Sequence, residues 1–409
     1  MTQKSDSKPV PNLKIRVSRA AEKSIRAGHP WVYSNSIRET NRAGTSGELG
    51  IIYDSENAFL AVGFYELNSP LAVKILEAGK AVKIDQTWIE NKLRTSFSLR
   101  EFLKTEKTTG YRCVHGENDG MPGFILDRYE TSFVMKLYAL GWVKMLKSLE
   151  ESIVKLLQPE RLVLRLSRNV QEASRAFGFE DGQLLCGLPA AAPVVFHENS
   201  LAFEADIIKG QKTGFFLDQR DNRKKVMGYS RGKRVLNVFS FSGGFSVYAA
   251  AGGAKEVSSV DISEHALQSA LRNFNLNQDN AGIKAVRHQI FKADAFKWLR
   301  ESTGKFDLVV LDPPSMAKRQ GEKPAALSAY SKLANDAIGK ISAGGILVAS
   351  SCSAHVTSDE FFETVLKNCR KSGRIHHILE KTGHSPDHPI KFPEAEYLKT
   401  IYVQFEKQA

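Results

Sequence analysis

Two short segments carry side chains that could do covalent or acid–base chemistry, and each follows an apolar stretch typical of a buried strand. One is Asp312-Pro-Pro-Ser315 and the other is Ser351-Cys352-Ser353. If the two preceding strands lie parallel in one sheet, their carboxyl ends share an edge, and Asp312 and Cys352 would face a common crevice. We therefore take Cys352 as a candidate nucleophile and Asp312 as a candidate catalytic group beside it.

A cysteine thiolate at such an edge can add to an electron-poor carbon. The C5 atom of cytosine accepts a methyl group only after a thiolate has added to C6, which gives C5 enamine character. Because only the thiolate adds well, such a site must lower the pKa of its cysteine by positive charge or hydrogen bonding. Asp312 could then hold the N3 or amino edge of the base, and His355 could assist. A structural thiol at Cys352 and a structural histidine at His355 are the alternatives.

A second set of residues has the types and order of a nucleotide-binding crevice. The segment from Asn237 runs through Phe239 and Ser242 into Gly243-Gly244, a turn in which the backbone could approach a ligand closely. This turn is neither GxGxxG nor a P-loop, so it does not favour a dinucleotide enzyme or a nucleotide triphosphatase.

Two acids follow the next strands of this set. Asp261 ends the second strand and could bind two ribose hydroxyls, while Asp294 follows the third and could accept a hydrogen bond from an adenine amino group. Each acid alone is more often a helix cap, but their order along the chain favours a binding site.

The elements that must position these residues follow from the hydrophobic pattern. After Leu201, near-continuous apolar strands alternate with helices, which predicts a doubly wound, mostly parallel α/β sheet. The pattern places one strand at 285–288 and predicts a closing antiparallel hairpin over about 375–405. Helices and strands also mix between residues 81 and 193, which indicates a central α/β domain.

The beginning of the chain has a different texture, with short strand candidates separated by turn residues from Leu13 to about Leu76. This pattern predicts a small β-rich module such as a barrel, preceded by a polar tail at 1–10. Three domains are therefore expected, at 11–80, 81–193 and 194–409, with the second boundary near Pro189–Pro193.

Charge favours a polyanionic partner. Lys and Arg number 57 against 45 Asp and Glu, a formal net charge of +12, and a field of this sign attracts nucleic acid. The first fifty residues hold nine basic and four acidic residues. The candidates for RNA phosphate contacts there are Arg16, Arg19, Lys23 and Arg26, and a solvated charged face is the alternative for each.

The four cysteines are scattered and lack CxxC spacing, so the sequence suggests neither a zinc site nor a disulfide framework. Its start has no apolar core typical of a secretory signal, and no apolar run approaches the roughly 20 residues that span a bilayer. We expect a cytoplasmic protein with no metal and no membrane partner. The oligomeric state does not follow from the sequence.

Taken in order, several segments resemble the bacterial 23S ribosomal RNA cytosine-C5 methyltransferases that carry an N-terminal PUA domain. The segments cover nearly the whole chain and are Gly28–Ser34, Gly214–Arg220 with Asn222-Arg223, Phe239–Ala249, Asp312-Pro-Pro, Ser351–Ser353, His388-Pro-Ile and Glu396–Lys399. The resemblance implies a PUA-like β-barrel, a central α/β domain and a Rossmann-like domain that binds S-adenosyl-L-methionine (SAM). It also implies ribosomal RNA as the partner and Cys352 as the nucleophile. The cofactor-binding residues expected from the crevice and the resemblance together are Gln219, Arg220, Asn237, Phe239, Ser242, Gly243, Gly244, Asp261, Asp294 and Asp312.

Some alternatives stay open at this point. Related guanine methyltransferases share the Phe-Leu-Asp-Gln-Arg segment and the Asp-Pro-Pro motif, although Ser315 is not the aromatic residue that often stacks a base for amino-group methylation. Many cytosine-C5 RNA enzymes have a second cysteine beside Asp-Pro-Pro, and its absence here leaves the base that removes the C5 proton unnamed. A non-catalytic RNA-binding assembly factor is a further alternative. Gln219 and Arg220 could instead start a helix and pair with local acids.

Overall fold

The computed structural model describes residues 11–189 and 192–407. The predicted polar tail at 1–10 and part of the predicted boundary near 189–193 therefore lie outside the described residues. The described residues form two compact units, one of residues 11–101, 112–189 and 207–214 and the other of residues 102–111, 192–206 and 215–407. The division into three domains stays a prediction.

The first unit opens with a β-rich module, as the turn-rich sequence predicts. Its elements are β1 (Leu13–Val17), α1 (Arg19–Arg26), β2 (Trp31–Tyr33), β3 (Ile37–Thr40), β4 (Glu48–Tyr53), β5 (Phe59–Tyr65) and β6 (Leu71–Ala78). The strands form a six-stranded sheet in the order β2-β6-β5-β4-β1-β3. In β1 the alternate residues Leu13, Ile15 and Val17 are buried, because successive side chains of a strand point to opposite faces.

A mixed α/β region follows along the chain. Its helices are α2 (Gln86–Ser98), α3 (Leu140–Lys144), α4 (Leu146–Leu157) and α5 (Arg168–Arg175), and its strands are β7 (Gly110–His115), β8 (Phe124–Tyr129), β9 (Ser132–Leu137), β10 (Arg161–Leu166) and β11 (Gln183–Gly187). The strands pair in the order β11-β10-β9-β8-β7. Helix α2 begins where the Asp85 side chain accepts a hydrogen bond from the Trp88 backbone N–H, a common N-terminal cap.

The second unit contains the doubly wound sheet that the apolar strands predict. After the antiparallel pair β12 (Val194–Glu198) and β13 (Leu201–Ala205), its helices are α6 (Arg220–Tyr229), α7 (Gly244–Ala251), α8 (Glu264–Asn275), α9 (Ala281–Ala285), α10 (Ala295–Glu301), α11 (Lys323–Ile338) and α12 (Ser358–Lys371). Its remaining strands are β14 (Arg234–Val238), β15 (Glu256–Asp261), β16 (Arg287–Lys292), β17 (Phe306–Leu311), β18 (Ile341–Ser351), β19 (His376–Thr382) and β20 (Lys399–Phe405).

Strand order in this sheet is β16-β15-β14-β17-β18-β20-β19. Strands β14 to β18 pair in parallel, and β20 pairs antiparallel with both β18 and β19, which confirms the predicted closing hairpin. The order reverses beside β14, since β15 and β16 extend to one side and β17 and β18 to the other. Ligands of such sheets bind at this reversal, outside the carboxyl ends of the strands.

The strand predicted at 285–288 begins later than expected. Helix α9 ends at Ala285, and β16 runs from Arg287 to Lys292. The Asn280 side chain accepts hydrogen bonds from the N–H groups of Gly282 and Ile283, so a capped helical turn includes Ala285, the first residue of the predicted strand. Strand β16 lies at the edge of the sheet and has no fully buried residue, so it lacks a long apolar run.

Within the described residues, no helix combines the length and the apolar character needed to cross a membrane.

Candidate active site

Cys352 directly follows β18 and is half-buried. Its Sγ atom lies 3.8 Å from the carbonyl oxygen of Pro313, in the loop after β17. The parallel pairing of β17 with β18 matches Leu311 with Ala349, which brings the two carboxyl ends to one edge. The structure therefore brings Cys352 together with the Asp-Pro-Pro segment, as the sequence predicts.

The serines on either side of Cys352 tie its loop to the surrounding structure. The buried Ser353 Oγ accepts hydrogen bonds from the backbone N–H groups of Met316 at 2.9 Å and Ala317 at 3.3 Å, and it shares a hydrogen bond of 2.8 Å with the Tyr330 hydroxyl. The Ser351 hydroxyl donates to the same tyrosine oxygen at 2.9 Å. The loop that carries the thiol and the loop that carries Asp312 are thus fastened to each other.

Asp312 is held by Gln219. The Gln219 side-chain amide donates to Asp312 Oδ1 at 2.8 Å and accepts from the Asn222 side chain at 2.6 Å. Gln219 is buried, at 3% exposure, so its amide has a fixed orientation. It lies at the same edge as Asp312, where the resemblance places a cofactor-side residue.

Arg220 points to a different set of partners. Its guanidinium lies 2.9 Å from the buried Asp387 carboxylate and 3.1 Å from Asp221. Arg220 therefore begins helix α6 and pairs with nearby acids, which is the alternative that the sequence left open for it. Its contact with the cofactor stays a prediction.

The connection between β19 and β20 fixes the segment that carries Gln219. The Ser385 hydroxyl donates to the Asp218 carbonyl oxygen and accepts from the Asp221 N–H, both at 3.0 Å. The Tyr397 hydroxyl donates to the Asp218 carboxylate at 2.7 Å. Ser385, together with Tyr397 of the Glu-Tyr-Leu-Lys segment, thus supports the 217–222 region.

The end of β14 leaves buried polar atoms unsatisfied. Within the described part of the chain, Asn237 Oδ1, Ser240 Oγ and Ser242 Oγ are buried and have no hydrogen-bond partner. The Asn237 amide nitrogen donates to Ser246 Oγ at 2.9 Å. Buried polar atoms are normally paired, so these three fit a site completed by a polar ligand. Ser240 was not among the predicted residues.

The backbone of the same loop is strained. Phe239 and Phe241 adopt φ values of +61° and +48°, a left-handed region that costs non-glycine residues roughly 1–3 kcal/mol each. The Phe239 ring, half-buried, lies 6.4 Å from the Phe296 ring, edge to face. Such strain is found where a loop is shaped for binding.

Gly243 and Gly244 are required for packing as well as for any ligand. Gly243 has φ +75°, and a Cβ atom there would lie 2.8 Å from the Cβ of Ala270 on α8. A Cβ at Gly244 would lie 3.1 Å from Arg223 Cδ. The Gly-Gly turn therefore lets α7 begin close to its neighbours in addition to opening the crevice edge.

Asp261 joins two loops of the crevice edge. Its Oδ2 atom accepts a hydrogen bond of 2.8 Å from the Phe241 N–H, and its Oδ1 atom accepts one of 2.9 Å from the Ser263 N–H. A carboxylate oxygen can accept more than one hydrogen bond, so Asp261 can also receive two hydroxyl groups. The next residue, Ile262, is an apolar side chain that is 70% exposed at this edge, and the sequence reasoning did not single it out.

Asp294 is exposed and caps α10, since its Oδ1 atom accepts a hydrogen bond of 2.9 Å from the Lys297 N–H. The helix-cap alternative thus describes its contact in this structure. Its second carboxylate oxygen does not take part in that bond, so capping and a bond to an adenine amino group are compatible.

The sequence reasoning also assigned no role to Lys399. This side chain is 1% exposed, and its Nζ donates to the Ser353 carbonyl oxygen at 2.7 Å and to the Val356 carbonyl oxygen. Burial lowers the pKa of Lys399 to about 8, against the opposing charges of Glu396 and Cys352. Its inclusion in the Glu-Tyr-Leu-Lys segment was the one signal that the sequence offered.

The four candidate RNA-binding residues lie in the first unit and fall into two pairs. Arg16 donates to Asn57 Oδ1 at 3.0 Å and lies 3.9 Å from Glu39, while Arg26 forms ion pairs with Glu22 and Asp54. Arg19 and Lys23 are exposed on α1. The acids beside Arg16 and Arg26 offset their charges, so Arg19 and Lys23 are better placed to meet phosphates.

Comparison with known proteins identifies the family of both regions. The family model described as S-adenosylmethionine-dependent methyltransferase matches residues 176–403, and the PUA-like domain model matches residues 15–78. The chain is 48% identical over 404 residues to a ribosomal RNA large subunit methyltransferase of Deinococcus radiodurans, covering 97% of this chain and 98% of that protein. It is 33% identical over 394 residues to the ribosomal RNA large subunit methyltransferase I of Aeromonas salmonicida, covering 95% and 98%.

Two solved structures share the fold. A chain from Streptococcus mutans described as a SAM-dependent methyltransferase matches with a TM-score of 0.80 at 23% identity, and a methyltransferase complexed with S-adenosylhomocysteine matches with 0.81 at 24%. Each match covers 96% of this chain and 99% of the other. The unpaired polar atoms at the end of β14 and the acid at the end of β15 fit the cofactor of this family. The chain thus belongs to the S-adenosylmethionine-dependent methyltransferase family and carries a PUA-like domain at its N-terminal end.

Proposed function

We propose that this protein methylates C5 of a cytosine in the RNA of the large ribosomal subunit, through a covalent bond between Cys352 and C6. The observation that carries the proposal is the position of Cys352, half-buried at the sheet edge with its Sγ 3.8 Å from the Pro313 carbonyl oxygen. The names of the relatives from Deinococcus radiodurans and Aeromonas salmonicida support large-subunit ribosomal RNA as the substrate.

The cofactor would lie along the carboxyl ends of β14 and β15. We assign Asp261 to the ribose hydroxyls and Asp294 to the adenine amino group, with Asn237, Ser240 and Ser242 satisfying further polar groups. When bound there, SAM supplies an electrophilic methyl group. The remaining assigned cofactor-side residues are Gln219, Arg220, Phe239, Gly243, Gly244 and Asp312.

Two residues of the chain, Cys352 and Asp312, then act on the cytosine. The Cys352 thiolate forms a bond to C6, which moves electron density to C5, and C5 takes the methyl group as the bond between that group and the donor sulfur breaks. A proton acceptor then removes the C5 proton. The C5–C6 double bond forms again as the C6–S bond breaks, which returns the thiolate. Asp312, oriented by Gln219, accepts a hydrogen bond from the cytosine amino group and holds the ring over the thiol.

The experiment is to trap the covalent intermediate. RNA in which the target cytosine is replaced by 5-fluorocytosine cannot lose a proton from C5, so the adduct should persist after methyl transfer. With the unmodified protein we expect a SAM-dependent protein–RNA band that survives denaturant. Cys352→Ala should give no band, and the matched control Cys186→Ala, which changes another half-buried thiol, should give the band of the unmodified protein.

Two results would contradict the proposal in different ways. Normal methylation by Cys352→Ala would remove Cys352 as the nucleophile. A methylated guanine, identified by mass spectrometry of digested RNA, would replace the cytosine assignment with a guanine N-methyltransferase. If SAM bound but no base were methylated, the protein would instead be a non-catalytic RNA-binding factor.

We further propose that residues 11–80 bind RNA, chiefly through Arg19 and Lys23. Replacing both with serine should weaken RNA binding and reduce the slope of log K against log salt by about 1 for each phosphate that the variant no longer binds. The matched double variant Arg16→Ser with Arg26→Ser should change the slope less, because acids offset these two charges. Filter-binding titrations at several salt concentrations measure the slopes, and equal slopes for both double variants would contradict the assignment.

A further inference from the structure

One buried cation beside the thiol has no part in the reaction as written above. Lys399 begins β20, and the pairing of β20 with β18 sets it opposite Ser351, the residue before Cys352. The side chain is 1% exposed. A buried lysine loses the hydration of its charge, so it is retained only where other groups compensate.

The compensating groups belong to the loop that carries the thiol. The Lys399 ammonium donates to the carbonyl oxygens of Ser353 and Val356, which lie one and four residues after Cys352. On its other side this loop is held by the bonds from Met316 and Ala317 to Ser353 Oγ. The lysine therefore fixes the backbone of the turn that sets the direction of the Cys352 side chain.

The charge of Lys399 also acts on the thiol. Burial lowers the pKa of Lys399 to about 8, while the charges of Glu396, Cys352 and Glu360 act to raise it. The interaction with Cys352 is reciprocal, so an ammonium that is favoured by the thiolate also favours the thiolate. Glu360 is already paired with Lys323, and Tyr330, whose pKa is raised by burial, faces the same loop. Below about pH 8, Lys399 carries its proton and its positive charge.

We propose that Lys399 is the positioning residue of the nucleophile: its ammonium clamps the 353–356 turn and stabilises the Cys352 thiolate. The catalytic value of this role rests on the proposed function, but the reactivity of the thiol can be measured without RNA or cofactor. A nucleophilic thiolate needs a positive charge or hydrogen bonds near its sulfur. The sequence analysis assigned no residue to this role.

The test is the alkylation rate of Cys352 by iodoacetamide as a function of pH, read by mass spectrometry of the peptide that contains it. In the unmodified protein we expect the rate to reach half its maximum at a lower pH than for an ordinary thiol, which titrates at about 8.5. Lys399→Met should slow the alkylation about tenfold at pH 7, because removing an adjacent charge raises a thiol pKa by about one unit or more. Lys399→Arg, which keeps the charge, should recover most of the rate.

The matched control is Lys340→Met. Lys340 is another partly buried lysine with a pKa lowered by burial, and it donates to the Ser302 carbonyl oxygen, but it lies before the amino end of β18 and so at the opposite end of that strand from Cys352. This variant should leave the alkylation profile of Cys352 unchanged. Thermal unfolding of each variant shows whether it is folded before its profile is compared.

A folded Lys399→Met protein with the parental pH profile would overturn the proposal. If that variant does not fold, the profile of the unmodified protein decides, since half-maximal alkylation of Cys352 at or above pH 8.5 would exclude a stabilised thiolate. A low half-maximal pH together with no adduct on 5-fluorocytosine RNA would leave the role of Lys399 intact and overturn the cytosine mechanism instead.

Discussion

The two halves of the crevice edge differ in how they are completed. By their proposed roles, we call the edge after β18 the nucleophile half and the edge after β14 and β15 the cofactor half. In the nucleophile half the side chains are held by other side chains and by backbone groups, as Ser353 joins the loop after β18 to the loop after β17. In the cofactor half, after β14 and β15, Asn237 Oδ1 and two serine hydroxyl oxygens are buried with no hydrogen-bond partner among the described residues. The chain itself builds the first half, whereas the second half needs a ligand to satisfy its polar atoms.

This difference has an energetic meaning. A buried polar atom without a partner costs roughly 1–3 kcal/mol, and a ligand that pairs with it recovers that cost. In the unliganded fold, the cofactor half therefore has an unfavourable free energy that ligand binding relieves. The nucleophile half has little of this cost, because its polar side chains are already paired. Substitutions there should therefore change the reaction rate more than the affinity for the cofactor.

The strongest test of this separation is Cys352→Ala. On the proposed mechanism the methylation rate should fall at least about a thousandfold, as expected when an obligatory nucleophile is lost. Calorimetric affinity for SAM should stay within about twofold of the parent, because the thiol lies in the other half. A large change in SAM affinity would show that the two halves are not independent.

The cofactor half should also be the acid-sensitive half. A chain of hydrogen bonds across β14, α7, β15 and β16 joins Asn237, Ser246, Ser259 and His288, with 2.9 Å from Ser259 Oγ to His288 Nε2. Burial lowers the pKa of His288 from 6.5 to about 4. The fold thus prefers neutral His288, so its contribution is complete above pH 6.5 and is lost as the pH falls towards 4.

We expect this histidine to account for about 2–3 kcal/mol of the stability lost between pH 7 and pH 4. Urea denaturation across that range measures the loss, and His288→Gln should flatten it. His377, exposed on β19 and paired with Glu406, offers a matched control in His377→Gln. The same pH dependence in the parent and in His288→Gln would show that other groups cause the acid sensitivity.

A smaller effect separates the two acids of the cofactor half. Asp261→Ala removes an acceptor for the Phe241 N–H as well as for the ligand, and we expect SAM binding to weaken by roughly 1–3 kcal/mol. Asp294 is exposed, so Asp294→Ala should cost about 0.5–1.5 kcal/mol. Calorimetry of both variants shows which substitution weakens SAM binding more.

The control for these acids is Asp307→Ala. Asp307 accepts a hydrogen bond of 2.9 Å from the Arg234 N–H, but it lies near the amino end of β17, away from the crevice edge. Its loss should lower the unfolding temperature and leave SAM affinity unchanged. If Asp261→Ala bound SAM as tightly as Asp307→Ala, our map of the cofactor site would be wrong.

The sequence predicted the sheet because its central strands are buried on both faces and read as apolar runs. It misplaced the start of β16, since an edge strand with half-buried residues has no such run. Asp312 and Cys352 were predicted as site residues because each lies just after one of the apolar runs. The positions were therefore readable from local pattern alone.

Other parts of the site depend on contacts between distant segments, and the sequence could not show them. Lys399 reaches the thiol loop only because the register of β20 on β18 sets it opposite Ser351. Ser240 is buried between Phe239 and Phe241, which both adopt a left-handed backbone conformation. Phenylalanine gives no indication of that conformation in a sequence. Gln219 gained its partner, Asp312, from the packing of α6 and its preceding turn on the sheet edge.

The place of β20 in the sheet has a consequence for how the protein is made. Strand β20 lies between β18 and β19 in space but follows both in the chain, so β19 has no partner in the sheet until the last strand inserts. On a translating ribosome Cys352 therefore emerges before Lys399, which lies later in the chain. By the role proposed for that lysine, the thiol stays an ordinary, slowly reacting one during synthesis and becomes nucleophilic only when the chain closes its own sheet.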